Sequence, residues 1–349
     1  MQENKMNITI HDPTLRDGNH AVRHQLTADN FRKYCIAAEE AGVPVIEVGH
    51  GNGLGASSML VGEASITDDE IISIARNNLK QSKLSMHVIP GFATIKRDLT
   101  KAIDLGVDIF RVASHVTEVD ICQRHIEYLR NANKTAFGIL MMSHMADINT
   151  LVSEASKMQS YGAEAIVIMD SAGHYFPEDV NQRIDALVNT LDIPVGFHGH
   201  NNLGMAISNS VAAVSSGARI LDASIRGFGA GAGNTQLEVL VAVLHKRGYN
   251  TGIDLYKILD AATLAGEEFN QVPPFISPIS VISGLSGVFS GFAKHVMDAA
   301  KDYNVDPRDI FFELGQRKAV AGQESLIFEV AQSLAQAKEN IEGSNLTLV

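Results

Sequence analysis

A short apolar run followed by an amphipathic stretch recurs eight times before about residue 250. The strand candidates are Ile8–His11, Val45–Val48, Leu84–Ile89, Ile109–Ala113, Ala136–Met141, Ala165–Met169, Val195–His198 and Ile220–Ile225. Each is nearly continuous in apolar residues, the pattern of a parallel strand covered on both faces. Helical stripes lie between them. Phe31, Tyr34, Cys35 and Ala38 fall at i, i+3, i+4 and i+7 behind Thr27 as N-cap, and Leu203, Ile207, Val211 and Val214 make another. Gly42, Gly106, Gly162 and Gly217 each close such a stretch and precede a small apolar residue. That is the place of a left-handed cap, which turns a helix back toward a strand.

Eight such units fit a closed barrel or a long doubly wound sheet. The regular repeat, with no G-x-G-x-x-G after the first strand, predicts an α/β fold: a (β/α)8 TIM barrel over residues 1–250. Beyond that the rhythm changes. Pro273, Pro274 and Pro278 mark a connector, and residues 251–349 read as a C-terminal helical appendage without clear strands. Asp306-Pro307 has the form of an N-cap followed by proline at the first helical position. A last helix is expected from about Glu324 to Lys338, with Leu326, Ile327, Val330 and Leu334 on one face.

The net charge of −12 argues against a nucleic-acid or anionic-membrane surface, which needs clustered Lys and Arg. It leaves room for an anionic small substrate, because one local Arg binds a carboxylate on an acidic protein. Cys35 and Cys122 are too few for a disulfide framework, so a reducing cytoplasm is expected. No basic segment followed by an apolar one opens the sequence, and no apolar run approaches membrane-spanning length.

A TIM barrel carries its chemistry at the C-terminal ends of its strands. After the first strand comes Asp12-Pro13-Thr14-Leu15-Arg16-Asp17-Gly18-Asn19-His20, which can aim a carboxylate, a guanidinium and an imidazole into one mouth. An Asp is a hard oxygen ligand for a divalent cation, Arg offers a fork to an enolate or carboxylate, and His moves protons near neutrality. A capped turn with an Arg–Asp ion pair is the bland alternative. The seventh strand ends in Phe197-His198-Gly199-His200-Asn201-Asn202. Residues two apart on a strand share a face, so His198 and His200 can reach one ion, with Asp17 completing a two-histidine, one-carboxylate set. After the eighth strand, Arg226-Gly227-Phe228-Gly229-Ala230-Gly231-Ala232-Gly233-Asn234 reads equally as an anion-binding backbone loop and as a tightly packed turn. Ser171, after the sixth strand, offers a hydroxyl to a substrate carboxylate or simply sits in a turn. His115 is expected on the rim, and Met141, Met142 and Met145 as barrel lining.

Together these motifs resemble the pyruvate-metabolising TIM-barrel family of isopropylmalate synthase-like and HMG-CoA lyase-like aldolases and lyases. Within it the closer resemblance is to the 4-hydroxy-2-oxovalerate aldolases, over nearly the whole chain. It includes Arg16-Asp17-Gly18, Arg111-Val112-Ala113, Met141-Met142-Ser143-His144-Met145, Asp170-Ser171, Gly229 to Asn234, and Gly322-Gln323-Glu324. The resemblance implies a class II aldolase that reversibly cleaves a 4-hydroxy-2-oxo acid to pyruvate and an aldehyde. By it, Asp17, His198 and His200 hold a divalent metal, usually Mn²⁺, with Mg²⁺, Co²⁺ or Zn²⁺ as alternatives. Arg16 stabilises the enolate, His20 takes the 4-hydroxyl proton, and Ser171 helps hold the carboxylate. Three positions depart from that pattern: Phe289 stands for a Tyr, His87 for an apolar residue facing the aldehyde, and Ala321 for a Gly before Gly322. The resemblance also implies a partner acylating aldehyde dehydrogenase, against which Phe289 and Ala321 count, and a homodimer is expected. His87 and Phe289 are expected to line the substrate pocket and to shift the aldehyde preference. An acyl-CoA-dependent Claisen synthase or lyase, a non-haem iron oxygenase and a catalytically idle binding barrel are the competing expectations.

Overall fold

The computed structural model describes residues 6–269 and 272–346, with side chains to 338. Eight parallel strands close a barrel in sequence order: β1 (Thr9–Leu15), β2 (Val45–Val48), β3 (Lys83–Val88), β4 (Ile109–His115), β5 (Thr135–Met141), β6 (Ile166–Asp170), β7 (Val195–Gly199) and β8 (Ile220–Asp222). The helices between them are α1 (Ala28–Ala41), α2 (Asp68–Asn78), α3 (Thr100–Asp104), α4 (Gln123–Asn131), α5 (Ile148–Ser160), α6 (Pro177–Thr190) and α7 (Ala206–Ser215), followed by α8 (Leu237–Lys246). Thr27 caps α1 as expected, accepting from the Asn30 N–H at 3.3 Å. Gly42, Gly106, Gly162 and Gly217 all lie at positive φ between 79° and 105°, the conformation their position after each helix demands.

Two strand ends differ from the sequence reading. β1 runs through Asp12-Pro13 to Leu15 rather than stopping at His11, and its register against β2 shifts between Asp12 and Leu15. Pro13 has no N–H for the ladder, and such an irregularity lets a strand carry it. β8 stops at Asp222, and a short 3-10 turn follows at Ile225–Gly227, where Arg226 takes φ 51°. Its pairing is short on both sides: Ile220 to Asp222 pair with β1, and only Gly196 and Phe197 pair with it from β7.

Strand residues of one parity join the large core between barrel and helices, among them Ile46, Met86, Phe110, Leu140 and Ile168. The other parity faces the barrel interior. There Ala113, Ile139, Ala165, Val167, Met169 and Ile220 form a separate apolar cluster, with Met141 and Phe137 packed on it. Glu47, His87, Arg111, His198 and Asp222 share that interior and are buried polar groups. The interior is therefore apolar along β5 and β6, with Ala113 of β4 and Ile220 of β8 joining them, and carries its ionic groups on β2, β4 and β8.

α9 (Leu255–Glu268) lies beyond residue 250 and packs on α1, where Lys33 Nζ meets both Glu268 carboxylate oxygens at 2.8 Å. Phe269 closes the first core, its ring 5.9 Å from Tyr34 and 5.3 Å from Phe228. A second core from Val288 to Ala331 is built by α10 (Pro278–Ser286), α11 (Ala293–Tyr303), α12 (Pro307–Gln316) and α13 (Ser325–Leu346). Asp306 caps α12 and Pro307 is its first residue, as expected. Three barrel-mouth side chains tie this unit down. His144 Nε2 lies 2.8 Å from the Gly287 carbonyl and His174 Nδ1 2.7 Å from that of Gly284, while the Asn202 amide donates to the Ser280 carbonyl at 3.1 Å.

Candidate active site

The C-terminal ends of β1 and β7 bring Asp17, His198 and His200 together. One ligating atom from each lies within 4.8 Å of the others, all three residues are buried, and this is the only such cluster found among the described residues. His198 is oriented by Asp222, which accepts from its Nδ1 at 3.0 Å, leaving Nε2 buried without a partner. The Nδ1 of His200 is likewise unpartnered. Two buried imidazole nitrogens with nothing to bind are costly as they stand, and both become satisfied if a cation sits beside Asp17. Asp17 is held from two directions: Arg16 donates to Oδ1 at 2.8 Å and Asn234 to Oδ2 at 2.6 Å. Burial alone would raise its pKa, but the Arg16 guanidinium and the nearby histidines keep it far below the ordinary carboxylate range.

Asn234 ends the glycine- and alanine-rich loop after β8. The loop from Gly229 to Gly233 folds tightly around it, and a Cβ on Gly229 would meet the Asn234 side chain at 2.5 Å. The tight packing expected as one reading of that loop is present, and what it packs is the Asp17 partner.

Beneath these residues lies an ionic floor that sequence reasoning missed. Glu47 accepts from Arg16 Nε at 2.6 Å and from Arg111 at 3.0 Å, and Arg111 also donates to Asp222 at 2.5 Å. Arg111, Glu47 and Asp222 are fully buried. Burial opposes ionisation of both carboxyls, yet Arg111 wins: Glu47 is drawn down to about 2 and Asp222 lower still. His11 and His200 are driven by burial to about 4 and are neutral at physiological pH. Three carboxylates (Asp17, Glu47, Asp222) thus face two guanidiniums (Arg16, Arg111), leaving one net negative charge. A hydroxyl or amide in place of any of the three would remove that excess, which suits a cation.

His20 sits at the mouth in the turn Asp17–His20, its ring against Gly51, where a Cβ would come within 2.6 Å of Nε2. Burial lowers its pKa, with Asp17 pulling the other way. His24 lies edge-on to it at 5.0 Å and stacks on His50 at 3.7 Å. A cavity of about 410 Å³ opens beside His20, bounded by Gly229–Gly231, Ser280, Ser290 and the connector at Pro273–Phe275.

The remaining expected residues divide. Arg16 is in the site, and its Nη2 is buried without a partner. His87 lies on β3 facing the interior, opposite Arg111 in register, with an unpartnered Nδ1; burial, then Arg16, lowers its pKa to about 3. Ser171 Oγ accepts from the Met142 N–H at 2.9 Å, so it ties the β5 and β6 ends together and keeps its own O–H free to donate. Phe289 packs on Phe292 in the second core, ring centroids 6.3 Å apart, and it is Ser290 and Gly291 that border the His20 cavity. His115 is on the rim, bonded to Thr117 Oγ1 at 2.9 Å.

Residues 7–265 match the family described as HMGL-like, and residues 274–336 match a DmpG-like communication domain. A 4-hydroxy-2-oxovalerate aldolase from Pectobacterium atrosepticum is 69% identical over 95% of this chain and 97% of its own. One from Spirochaeta aurantia is 58% identical over 95% of this chain and 97% of its own. Among solved structures, the carboxyl transferase domain of Rhizobium etli pyruvate carboxylase superposes with a TM-score of 0.79 at 16% identity, covering 96% of this chain and 61% of that one, a likeness of fold. The barrel, its mouth and its full-length relatives agree: the chain belongs to the HMGL-like family and, within it, to the 4-hydroxy-2-oxovalerate aldolases.

Proposed function

We propose that this protein is a divalent-metal-dependent aldolase that reversibly cleaves a 4-hydroxy-2-oxo acid, 4-hydroxy-2-oxovalerate or a relative with another aldehyde part, to pyruvate and an aldehyde. The observation that carries this reading is the buried convergence of Asp17 with the unpartnered nitrogens of His198 and His200, beside an Arg16 whose Nη2 is also free. Asp17, His198 and His200 would hold the ion; two imidazoles and one carboxylate accept several first-row divalent cations, and the family resemblance favours Mn²⁺, with Mg²⁺, Co²⁺ and Zn²⁺ as alternatives. When bound, the ion supplies Lewis-acid polarisation of the 2-oxo group.

The chain's own groups do the rest. His20, kept neutral by burial, accepts the proton of the 4-hydroxyl. The C3–C4 bond breaks as the aldehyde C=O forms, its electron pair becomes the enolate of pyruvate, and the enolate takes up a proton at C3 to give pyruvate, balancing the one that His20 removed. The charge develops on the former 2-oxo oxygen, within the reach we assign to the free Arg16 N–H, where a preorganised donor lowers the barrier. Ser171 has a free O–H for the substrate carboxylate. His87 borders the aldehyde side with a neutral imidazole, which favours aldehydes bearing a hydrogen-bonding group. Phe289 bears on the pocket through Ser290 and Gly291.

We place the division between barrel and appendage after Phe269, where the first core ends. The communication-domain match supports an acylating aldehyde dehydrogenase as partner, more than Phe289 and Ala321 weigh against it. A homodimer and a cytoplasmic location complete the reading; both cysteines are buried and free, which suits a reducing compartment. No helix among the described residues is long and apolar enough to cross a membrane.

The test is pyruvate release from 4-hydroxy-2-oxovalerate by metal-stripped protein, with and without Mn²⁺, read through lactate dehydrogenase. Mn²⁺-dependent release that disappears in Asp17→Asn is expected. Release that persists in chelator, or none with any divalent ion, would overturn the reading.

A further inference from the structure

The ionic floor forms a nearly closed ring. Asp17 is bonded to Arg16, Arg16 to Glu47, Glu47 to Arg111, Arg111 to Asp222, and Asp222 to His198. Asp17 and His198 then face one another across the cluster of ligating atoms. The ring is assembled from β2, β4, β8 and β7 and the turn after β1, and Arg111 is its midpoint, touching neither the cluster nor the cavity beside His20.

We infer that Arg111 is a positioning residue that sets two active-site groups at once: Arg16 through Glu47, and His198 through Asp222. This rests on the metal-aldolase reading above. Glu47 fixes Arg16 through Nε, so the guanidinium has one rotation about its stem and Nη2 is left pointing free. Asp222 accepts from Nδ1 of His198, which fixes the tautomer and leaves the Nε2 lone pair for a ligand. Neither carboxylate could do this without a counter-charge, since each is fully buried. A planar fork serves two carboxylates on different strands simultaneously, which the point charge of a lysine cannot do.

A purely structural role explains the arrangement poorly. Apolar side chains fill the β5 and β6 side of the same interior. Replacing a buried ion pair by packed apolar residues is often neutral or stabilising, so ions here add little that Ile or Met would not. What they add is direction: at one end His198 keeps a free Nε2, and at the other Arg16, bonded to Asp17, keeps a free Nη2.

The experiment uses the full-length protein and Mn²⁺ alone as probe, its free ion followed by electron paramagnetic resonance, with steady-state kinetics on 4-hydroxy-2-oxovalerate at saturating Mn²⁺ and thermal midpoints as a check on folding. Arg111→Lys is expected to fold and to bind Mn²⁺ about 10- to 100-fold more weakly, the usual cost of disturbing a ligand's own hydrogen-bond partner. At saturating Mn²⁺ its kcat should remain at least about tenfold low, because Arg16 is also released. Asp222→Asn should weaken Mn²⁺ binding similarly. In the double variant Arg111→Lys adds little further, within about threefold, because both act along one path. Equal Mn²⁺ affinity in Arg111→Lys and wild type, or fully multiplicative effects in the double variant, would overturn the inference while leaving the metal reading standing. A wild type that binds no Mn²⁺ overturns both. If Arg111→Lys does not fold, Asp222→Asn and Glu47→Gln decide: the first must weaken Mn²⁺ binding, and the second must lower kcat at saturating Mn²⁺. Failure of either sinks the proposal.

Discussion

At the scale of single residues, the site is a set of groups that pay for burial in different ways. Asp17 keeps its charge because Arg16 and Asn234 occupy both carboxylate oxygens. His87 has no such support: it is neutral, buried and short of one hydrogen bond at Nδ1. An unsatisfied buried polar atom costs about 1–3 kcal/mol, so His87→Leu should raise stability by about 1 kcal/mol in urea unfolding. It should also turn the preference, read as relative kcat/KM across an aldehyde panel in the condensation direction, from hydroxylated toward alkyl aldehydes. Phe289→Tyr, by contrast, adds its hydroxyl to a ring edge that lies beside Gly291 at the border of the His20 cavity, and should shift kcat/KM less than His87→Leu, by no more than about threefold. A change of preference in Phe289→Tyr but not in His87→Leu would reverse these assignments. Asp17, His198 and His200 were legible because a strand's period of two and a loop after the first strand announce them. Glu47, Arg111 and Asp222 were not: Val45-Ile46-Glu47-Val48 looks like any strand with one charge, and only the barrel register brings the three side chains to one interior face.

At the scale of elements, strand number and order were readable from hydrophobic runs and glycine caps, because both follow from local chain geometry. Strand ends were not. β1 outran its apolar segment because Asp12 is satisfied by Tyr34, whose hydroxyl donates at 2.6 Å, and by Thr14, so a charged residue and a proline sit inside a strand. α9 was missed as barrel cover because its partner, α1, is more than 200 residues earlier. The junction between barrel and appendage depends on side chains the sequence shows only as a scatter of polar residues. Asn202, two residues past His200, donates to the Ser280 carbonyl and, at 3.0 Å, to Ser290 Oγ. Asn202→Ala leaves the Ser280 carbonyl and the Ser290 hydroxyl short of a donor, with an expected loss of about 1–3 kcal/mol. Because the lost bonds span the junction, calorimetry should also show the single unfolding transition broadening or splitting. A variant with the wild-type midpoint and a sharp transition would mean that His144 and His174 hold the junction without it.

For the whole molecule, the relevant count is of histidines kept neutral by burial. His11, His50, His144 and His200 are lowered to about 4, and His24 and His87 to about 3, burial being the largest cause in each. Unfolded, each would take up its proton near the ordinary imidazole value of 6.5. The folded state therefore binds fewer protons than the unfolded state between about 6.5 and 4, and stability falls with pH across that window. Asp12 and Asp170 act in the opposite sense, since burial raises each to about 6. They take up protons in the folded state first and offset part of the loss between pH 6 and their unfolded value. Glu47, drawn down to about 2, contributes only once the pH drops below the ordinary carboxylate range. Six groups outweigh two, so the metal-stripped protein should be most stable above pH 6.5 and lose midpoint temperature steadily toward pH 4.5. Mn²⁺ should then stabilise it by mass action at neutral pH and progressively less as acid competes for His200. Calorimetry in chelator and in excess Mn²⁺ from pH 7.5 to 4.5 reads both effects. A midpoint that holds level or rises down to pH 5 would mean that the two raised carboxyls, rather than the six histidines, govern the acid response.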